Sequence, residues 1–135
     1  MKQYHIISRI AIYLLAIVLF AFGIFHFLHP RDLLVFVPSF MPGGIIWVYF
    51  VGIAFILVAL SFLTNKLVKV SGYALAIILI IFILTVHIPN YLEAGDVEMK
   101  QMALINLLKD TAIVGFALHI AAGAHHQKLH LDDSD

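Results

Sequence analysis

The chain has 135 residues, of which 63% are hydrophobic and 12% are charged, and its mean hydropathy is +1.05. This composition excludes an ordinary soluble domain and indicates an integral membrane protein. The eight Lys and Arg residues balance eight Asp and Glu residues, so no basic surface for nucleic acid is indicated. Because the chain has no cysteine, it carries no thiol or iron–sulfur chemistry of its own, and a redox role would require a bound cofactor.

Four apolar runs are each long enough to cross a hydrocarbon core of about 30 Å as a helix. They are approximately residues 6–28, 44–63, 67–87 and 103–123. The first run is longer than the apolar core of a signal peptide and lacks a clear cleavage site, so we expect a retained span. The sequence therefore predicts an all-α membrane protein, with a four-transmembrane-helix bundle in residues 1–124. The polar, His-rich tail at 125–135 is expected to be disordered.

The positions of lysine and arginine orient this bundle. Five of these residues fall on one side of the four spans and two on the other: Lys2, Arg9, Lys66, Lys69 and Lys128 against Arg31 and Lys100. This distribution predicts that both termini are cytoplasmic. The lipid bilayer is then the first partner of the chain.

The first outer connection, HPRDLLVFVPSFMPGG, contains three prolines and an apolar middle. Pro30 is expected to end the first span, because the residue before a proline avoids the helical conformation. The apolar middle is expected to lie in the membrane interface or to fold back over the bundle. An ordinary connector and a lid over a binding site remain equal alternatives.

Polar residues near the outer ends of three spans are predicted to meet at one level of the membrane. They are His26 and His29 after the first span, His87 and Asn90 at the third, and Asn106, Lys109 and Asp110 in the fourth. Within each helix they are spaced three or four residues apart, which places them on one stripe. Lys109 and Asp110 are adjacent and point about 100° apart, so each is expected to have a partner elsewhere.

An ionised side chain near the middle of a span costs about 2.5–3.5 kcal/mol on insertion scales. Lys109 can extend toward the interface, whereas Asp110 is too short and must be paired, hydrogen-bonded or protonated. The functional hypothesis assigns Lys109 and Asp110 to charge or proton transfer, and assigns ligand binding to His26, His29, His87, Asn90 and Asn106. The structural alternatives are a lysine anchor, hydrogen bonds between helices and contacts at helix ends. His119 lies far from this level and is assigned a structural role.

Three kinds of ligand fit this pattern, and the cofactor is left open. A b-type haem would use His26 and His87 as axial ligands. A metal site would use these two with His29 and Asp110, but Lys109 beside it argues against a cation, and no metal is predicted. The polar head of a quinone or lipid fits best, with aromatic walls from Phe22, Phe25, Phe27 and Tyr91.

Four segments, GIFHFLHP, VPSFMPGGIIWVYFVGIAFILVA, LTVHIPN and INLLKDTAIVGFAL, together resemble the DoxX family of small bacterial four-helix membrane proteins. The resemblance covers about residues 10–121 and rests on the order and spacing of the segments. The positions that match the family pattern are His26, Pro30, Pro38, Pro42, His87, Pro89, Asn106, Lys109 and Asp110. The resemblance implies a bundle in the bacterial cytoplasmic (inner) membrane and a link to membrane oxidoreductases that use quinones.

Together, these observations predict a subunit or accessory of a membrane oxidoreductase, with partner subunits and an outer-leaflet site for a quinone-like or other small amphipathic molecule. Whether the chain itself is an enzyme stays open. The first alternative is a non-catalytic assembly subunit, in which the polar stripe holds helices or a partner together. A small permease or proton path is the hypothesis ranked third. Such a path needs polar groups through the full depth of the membrane, and the inner half offers only Ser61, Ser71 and His119.

Overall fold

The computed structural model describes the backbone of residues 2–133 and the side chains of residues 6–123. All regular elements in this part of the chain are helical: α1 (Lys2–Leu28), α2 (Pro30–Leu33), a 3₁₀ turn (Leu34–Phe36), α3 (Ile45–Thr64), α4 (Val68–Phe82), a π-helical turn (Ile83–His87), α5 (Ile88–Glu93) and α6 (Val97–Asp133). The disorder expected for 125–135 concerns residues whose side chains lie outside the described range, and it stays a prediction.

Four helical segments are long and apolar enough to cross a membrane: Ile6–Leu28, Ile45–Thr64, Val68–Glu93 and Val97–Gly123. Only 22–33% of the most apolar stretch of each segment is buried inside the protein. Most apolar side chains therefore point outward, as expected when the surrounding solvent is lipid. A multi-pass membrane protein is confirmed at this level, while the orientation of the termini stays a prediction.

The third membrane segment continues beyond His87, where the sequence predicted its end. The π-helical turn leads directly into α5, which ends at Glu93. Pro89 does not stop the helix; it lies in the first turn of α5, directly after the π-helical turn. Asn90 lies inside α5.

Glycines bring the membrane helices together in two antiparallel pairs, α1 with α3 and α4 with α6. A Cβ added to Gly23 would lie 2.8 Å from the Gly52 carbonyl oxygen, and one added to Gly52 would lie 2.8 Å from the His26 Cβ. In the second pair, a Cβ on Gly72 would lie 2.9 Å from the Ala117 carbonyl oxygen. Small residues are typical of such close helix contacts in membranes.

The two helix pairs join through α3 and α4. The rings of Phe55 and Phe82 meet edge to face across this contact, with centroids 6.4 Å apart. The core around them contains Ile12, Ala16, Leu19, Phe55, Val58, Ala59, Phe62, Val68, Leu75, Ala76, Leu79, Val114, Ala117 and Ile120. Residues from all four long helices thus form one apolar core.

The connection between α1 and α3 lies against these two helices, but no residue of α2 or of the 3₁₀ turn is buried. Pro30 begins α2 directly after α1, and α2 contacts both α1 and α3. The Trp47 indole N–H donates to the Pro42 carbonyl oxygen at 2.6 Å, which holds the end of the connection to α3. These contacts are those of a connector, and the lid alternative stays a prediction.

A tight turn joins α3 to α4 through two residues with left-handed backbone. Asn65 has a φ of 58° and Leu67 a φ of 55°. The Ser61 hydroxyl donates to the Lys66 carbonyl oxygen, and the Lys66 N–H donates to the Ser61 carbonyl oxygen at 3.1 Å. Asparagine tolerates this conformation, whereas leucine is strained there by about 1–2 kcal/mol.

We therefore expect Leu67→Gly to raise the free energy of unfolding by about 1 kcal/mol, because glycine relieves most of the strain while costing some entropy. The side chain of Leu67 is 76% exposed, so little packing is lost. Thermal unfolding in detergent measures the change. The matched variant Asn65→Gly should change stability by a few tenths of a kcal/mol, and a destabilised Leu67→Gly protein would contradict the expected strain.

Candidate functional site: a buried histidine–aspartate pair

A buried histidine and a partly buried aspartate meet between the third and fourth membrane segments. His87 Nε2 lies 2.7 Å from Asp110 Oδ2. The two side chains are 11% and 17% exposed. Asp110 thus has the partner on another helix that its sequence position required, and that partner is one of the predicted histidines.

The π-helical turn sets the direction of His87. The Ile88 N–H donates to the Ile83 carbonyl oxygen, so one turn of helix contains an extra residue. Each extra residue rotates the following side chains by about 100° relative to the preceding helix. Val86 and His87 are buried at this turn. Such turns are frequent at functional sites.

The second ring nitrogen of His87 is also buried. Its Nδ1 has no hydrogen-bond partner among the described residues. A buried polar group without a partner costs about 1–3 kcal/mol, and native structures contain few of them. The pair therefore leaves one polar atom of His87 available inside the protein.

His26, which the sequence placed at the same level, is held by its own helix. Its Nδ1–H donates to the Phe22 carbonyl oxygen at 2.6 Å, and its ring packs edge-on against Phe55, with centroids 5.5 Å apart. Among the described side chains, no hydrogen bond joins His26 to His87 or Asp110. The structure therefore shows no hydrogen bond between the two described histidines, and the haem hypothesis stays a prediction.

The remaining predicted ligand residues lie closer to the surface. His29 Nδ1 is 3.6 Å from Asp32 Oδ2, with side chains that are 52% and 75% exposed. Asn90 is exposed and Asn106 is half-buried. The four residues of the metal hypothesis are thus divided, and no group of three possible metal ligands occurs among the residues searched.

Lys109 and Asp110 point to different sides of α6, as their adjacency predicted. Asp110 faces His87, whereas Lys109 is exposed. No ion pair of Lys109 is formed within the described part of the chain. Asp110 thus contacts His87, whereas Lys109 makes no hydrogen bond or ion pair with His87 among the described side chains. His119 is also exposed.

A groove of about 220 Å³ lies at the junction of α5 and α6. Its lining consists of Tyr91, Val97, Lys100, Gln101 and Leu104. The Lys100 ammonium lies 4.9 Å from the centroid of the Tyr91 ring, a cation–π distance. Tyr91 follows His87 by four residues, so the groove begins about one helical turn from the pair. The sequence had suggested Tyr91 as an aromatic wall but missed Lys100 and Gln101, because it placed the start of the fourth span at residue 103, whereas α6 begins at Val97.

Comparison with known proteins gives one family match. No curated protein and no solved structure matches the chain. The comparisons give no link to the DoxX family, so that resemblance stays a hypothesis. The model of a family described as Domain of unknown function (DUF8561) matches residues 15–121. This range covers most of the 135 residues and includes the buried pair, and the chain therefore belongs to the DUF8561 family.

Proposed function

We propose that this membrane protein binds a small quinone-like amphipathic molecule through the His87–Asp110 pair, and that it serves as a subunit or accessory of a membrane oxidoreductase. The observation that carries the proposal is the buried pair whose His87 Nδ1 has no partner. Ionisable residues inside membrane helices are costly and are functional candidates by default. Packing of two helices against each other does not require such a pair, since apolar residues of similar volume often stabilise a protein as well as a buried ion pair or better.

The groove between α5 and α6 suggests how such a ligand approaches the pair. Its wall combines apolar side chains with the donors Lys100 and Gln101 and the ring of Tyr91. A ligand with an apolar tail would keep that tail in the lipid and place its polar ring in the groove. His87 would then donate or accept a hydrogen bond, while Asp110 orients its ring.

The other predicted site residues have weaker support from the geometry. Asn106 precedes Asp110 by four residues and is half-buried, so it is the best placed of them to approach a ligand bound at the pair. His26, His29 and Asn90 make no contact with the pair among the described side chains. In the proposal they surround the site without binding the reacting part of the ligand.

The location of the site remains part of the proposal. The distribution of basic residues favours cytoplasmic termini, which would place the pair in the outer leaflet. The resemblance to the DoxX family favours the bacterial cytoplasmic membrane. A cysteine placed at Gly95 in the α5–α6 connection, where a Cβ would meet no atom within 4 Å, should react with an impermeant thiol reagent only from outside intact cells.

Binding of a short-chain quinone to the purified protein tests the function. A photoreactive quinone should label the α5–α6 region saturably, and His87→Phe should weaken binding about tenfold or more, since a buried polar group of the ligand left without its hydrogen bond costs about 1–3 kcal/mol. His119→Phe is the matched control, because His119 is exposed and lies about 13 Å further along α6 than Asp110. Equal labelling of the wild-type and His87→Phe proteins would refute the proposed site.

A second candidate function is that of an assembly subunit, and the exposed Lys109 favours it. Lys109 lies within the apolar segment Val97–Gly123 and is exposed. An ammonium at this depth is costly unless it meets an opposite charge or extends to the interface. The complementary partner is a membrane helix that presents a carboxylate toward Lys109.

A cross-linker that joins amines directly to carboxylates tests this candidate in native membranes. It should attach Lys109 to an acidic side chain of one partner, and Lys109→Leu should abolish the product. Lys109→Leu should also release the partner while leaving quinone binding at His87 unchanged. A partner that stays bound to Lys109→Leu with undiminished yield would exclude Lys109 as the contact.

A further inference from the structure

We propose that His87 carries a proton on Nδ1, and that the site therefore takes the hydrogen-bond-accepting carbonyl of an oxidised quinone in preference to the hydroxyl of its quinol. The protonation follows from the geometry of the pair. The choice of ligand rests in addition on the function proposed above. Both parts of the inference start from His87 Nδ1, which is buried and has no hydrogen-bond partner among the described residues.

The proton can be located by counting the protons of a net-neutral pair. If Asp110 is ionised, neutrality requires an imidazolium, and both ring nitrogens of His87 then carry a proton. If Asp110 is protonated, its hydroxyl donates to Nε2 across the 2.7 Å contact, and the single proton of the neutral imidazole must lie on Nδ1. Both arrangements place an N–H at Nδ1.

A pair with a bare Nδ1 would carry a net negative charge. It would combine an ionised Asp110 with a neutral His87 protonated on Nε2. Burial at 11% and 17% exposure makes such an unbalanced charge costly. No lysine or arginine nitrogen lies within 4.0 Å of Asp110 among the described side chains, and no second carboxylate lies that close to His87. Lys109, the adjacent cation on α6, is exposed on another side of the helix.

A protonated Nδ1 specifies the kind of group that completes the site. A buried N–H without an acceptor costs about 1–3 kcal/mol, and a carbonyl oxygen removes this cost. A quinone offers such an oxygen, whereas a quinol offers a hydroxyl whose oxygen is a weaker acceptor and whose proton finds no acceptor at Nδ1. A bare Nδ1 would reverse this preference, because it accepts a hydroxyl proton and repels a carbonyl.

The first test observes the proton without any ligand. Protein labelled with ¹⁵N-histidine is placed in lipid vesicles, and the His87 signals are assigned by their loss in His87→Gln. One-bond coupling of Nδ1 to a proton is expected at neutral pH. A bare Nδ1 overturns the inference, even if quinones bind. A protonated Nδ1 in a protein that binds no quinone upholds the proton and refutes only the proposed function.

The second test compares the two redox forms of one short-chain quinone under anaerobic conditions. The oxidised form should bind the wild-type protein at least several-fold more tightly, and tighter binding of the quinol would overturn the inference. Two amide variants of His87 test its two ring nitrogens separately. The amide of His87→Asn replaces the Nδ1 donor, and that of His87→Gln replaces the contact of Nε2 with Asp110. His87→Asn should retain the preference for the oxidised form, and His87→Gln should lose it.

Discussion

Asp110→Ala is expected to lower the free energy of unfolding by about 1–3 kcal/mol. The substitution removes the only hydrogen-bond partner that His87 has among the described residues, so both ring nitrogens become unpaired in a site where the His87 side chain is 11% exposed. The shift is measured as the midpoint of unfolding in mixed micelles of mild and denaturing detergent. His87→Ala should have a similar effect on Asp110.

Two controls separate this effect from a general response to lost charge. Asp32→Ala removes the other carboxylate beside a histidine, but that side chain is 75% exposed, and exposed pairs contribute little. The double variant His87→Leu/Asp110→Leu should recover most of the stability, because apolar residues of similar volume replace a buried pair well. If Asp110→Ala unfolds at the wild-type midpoint, the buried pair is absent from the folded protein.

The double variant also tests why the pair is present. It should retain most of the wild-type stability while binding quinone at least tenfold more weakly, because the ligand loses its hydrogen bond to His87. Recovery of both stability and binding would place the ligand elsewhere. The coupling energy of the pair is obtained separately, by comparing the double variant His87→Ala/Asp110→Ala with the two single alanine variants.

The four membrane helices are predictable because the length of an apolar run is local information. The angular position of a polar residue is not. Spacing correctly placed Lys109 and Asp110 on different sides of one helix, since both lie in the regular helix α6. It could not identify His87 as the partner of Asp110, because the π-helical turn breaks the 3.6-residue period just before His87.

The predicted cluster also shows that a shared depth in the membrane does not determine which residues contact one another. Residues at one depth meet only if their helices are neighbours and their side chains face each other. His26 lies on α1, which packs on α3 through Gly23 and Gly52, whereas His87 faces α6. The pairing of the helices depends on close contacts that glycines make with distant residues, and no sequence period records which helix a glycine will approach.

Gly72→Leu is expected to lower the free energy of unfolding by about 2–3 kcal/mol, the cost of forcing a large side chain into a close-packed contact. Even a Cβ at this position would lie 2.9 Å from both the Ala117 carbonyl oxygen and the Ala121 Cβ. Backbone atoms cannot move aside as a flexible side chain can. Helices α4 and α6 must therefore separate, and the change in unfolding midpoint in mixed micelles measures the cost.

Gly115→Leu is the matched control, because Gly115 lies in a membrane helix and a Cβ there meets no atom within 4 Å. Both substitutions add the same apolar side chain and the same gain in helix propensity, about 0.8–1 kcal/mol at most. The difference between them isolates the packing of α4 on α6. Since α6 also carries Asp110, Gly72→Leu should weaken quinone binding, and Gly115→Leu should not. Equal destabilisation by the two variants would show that Gly72 is not at a helix contact.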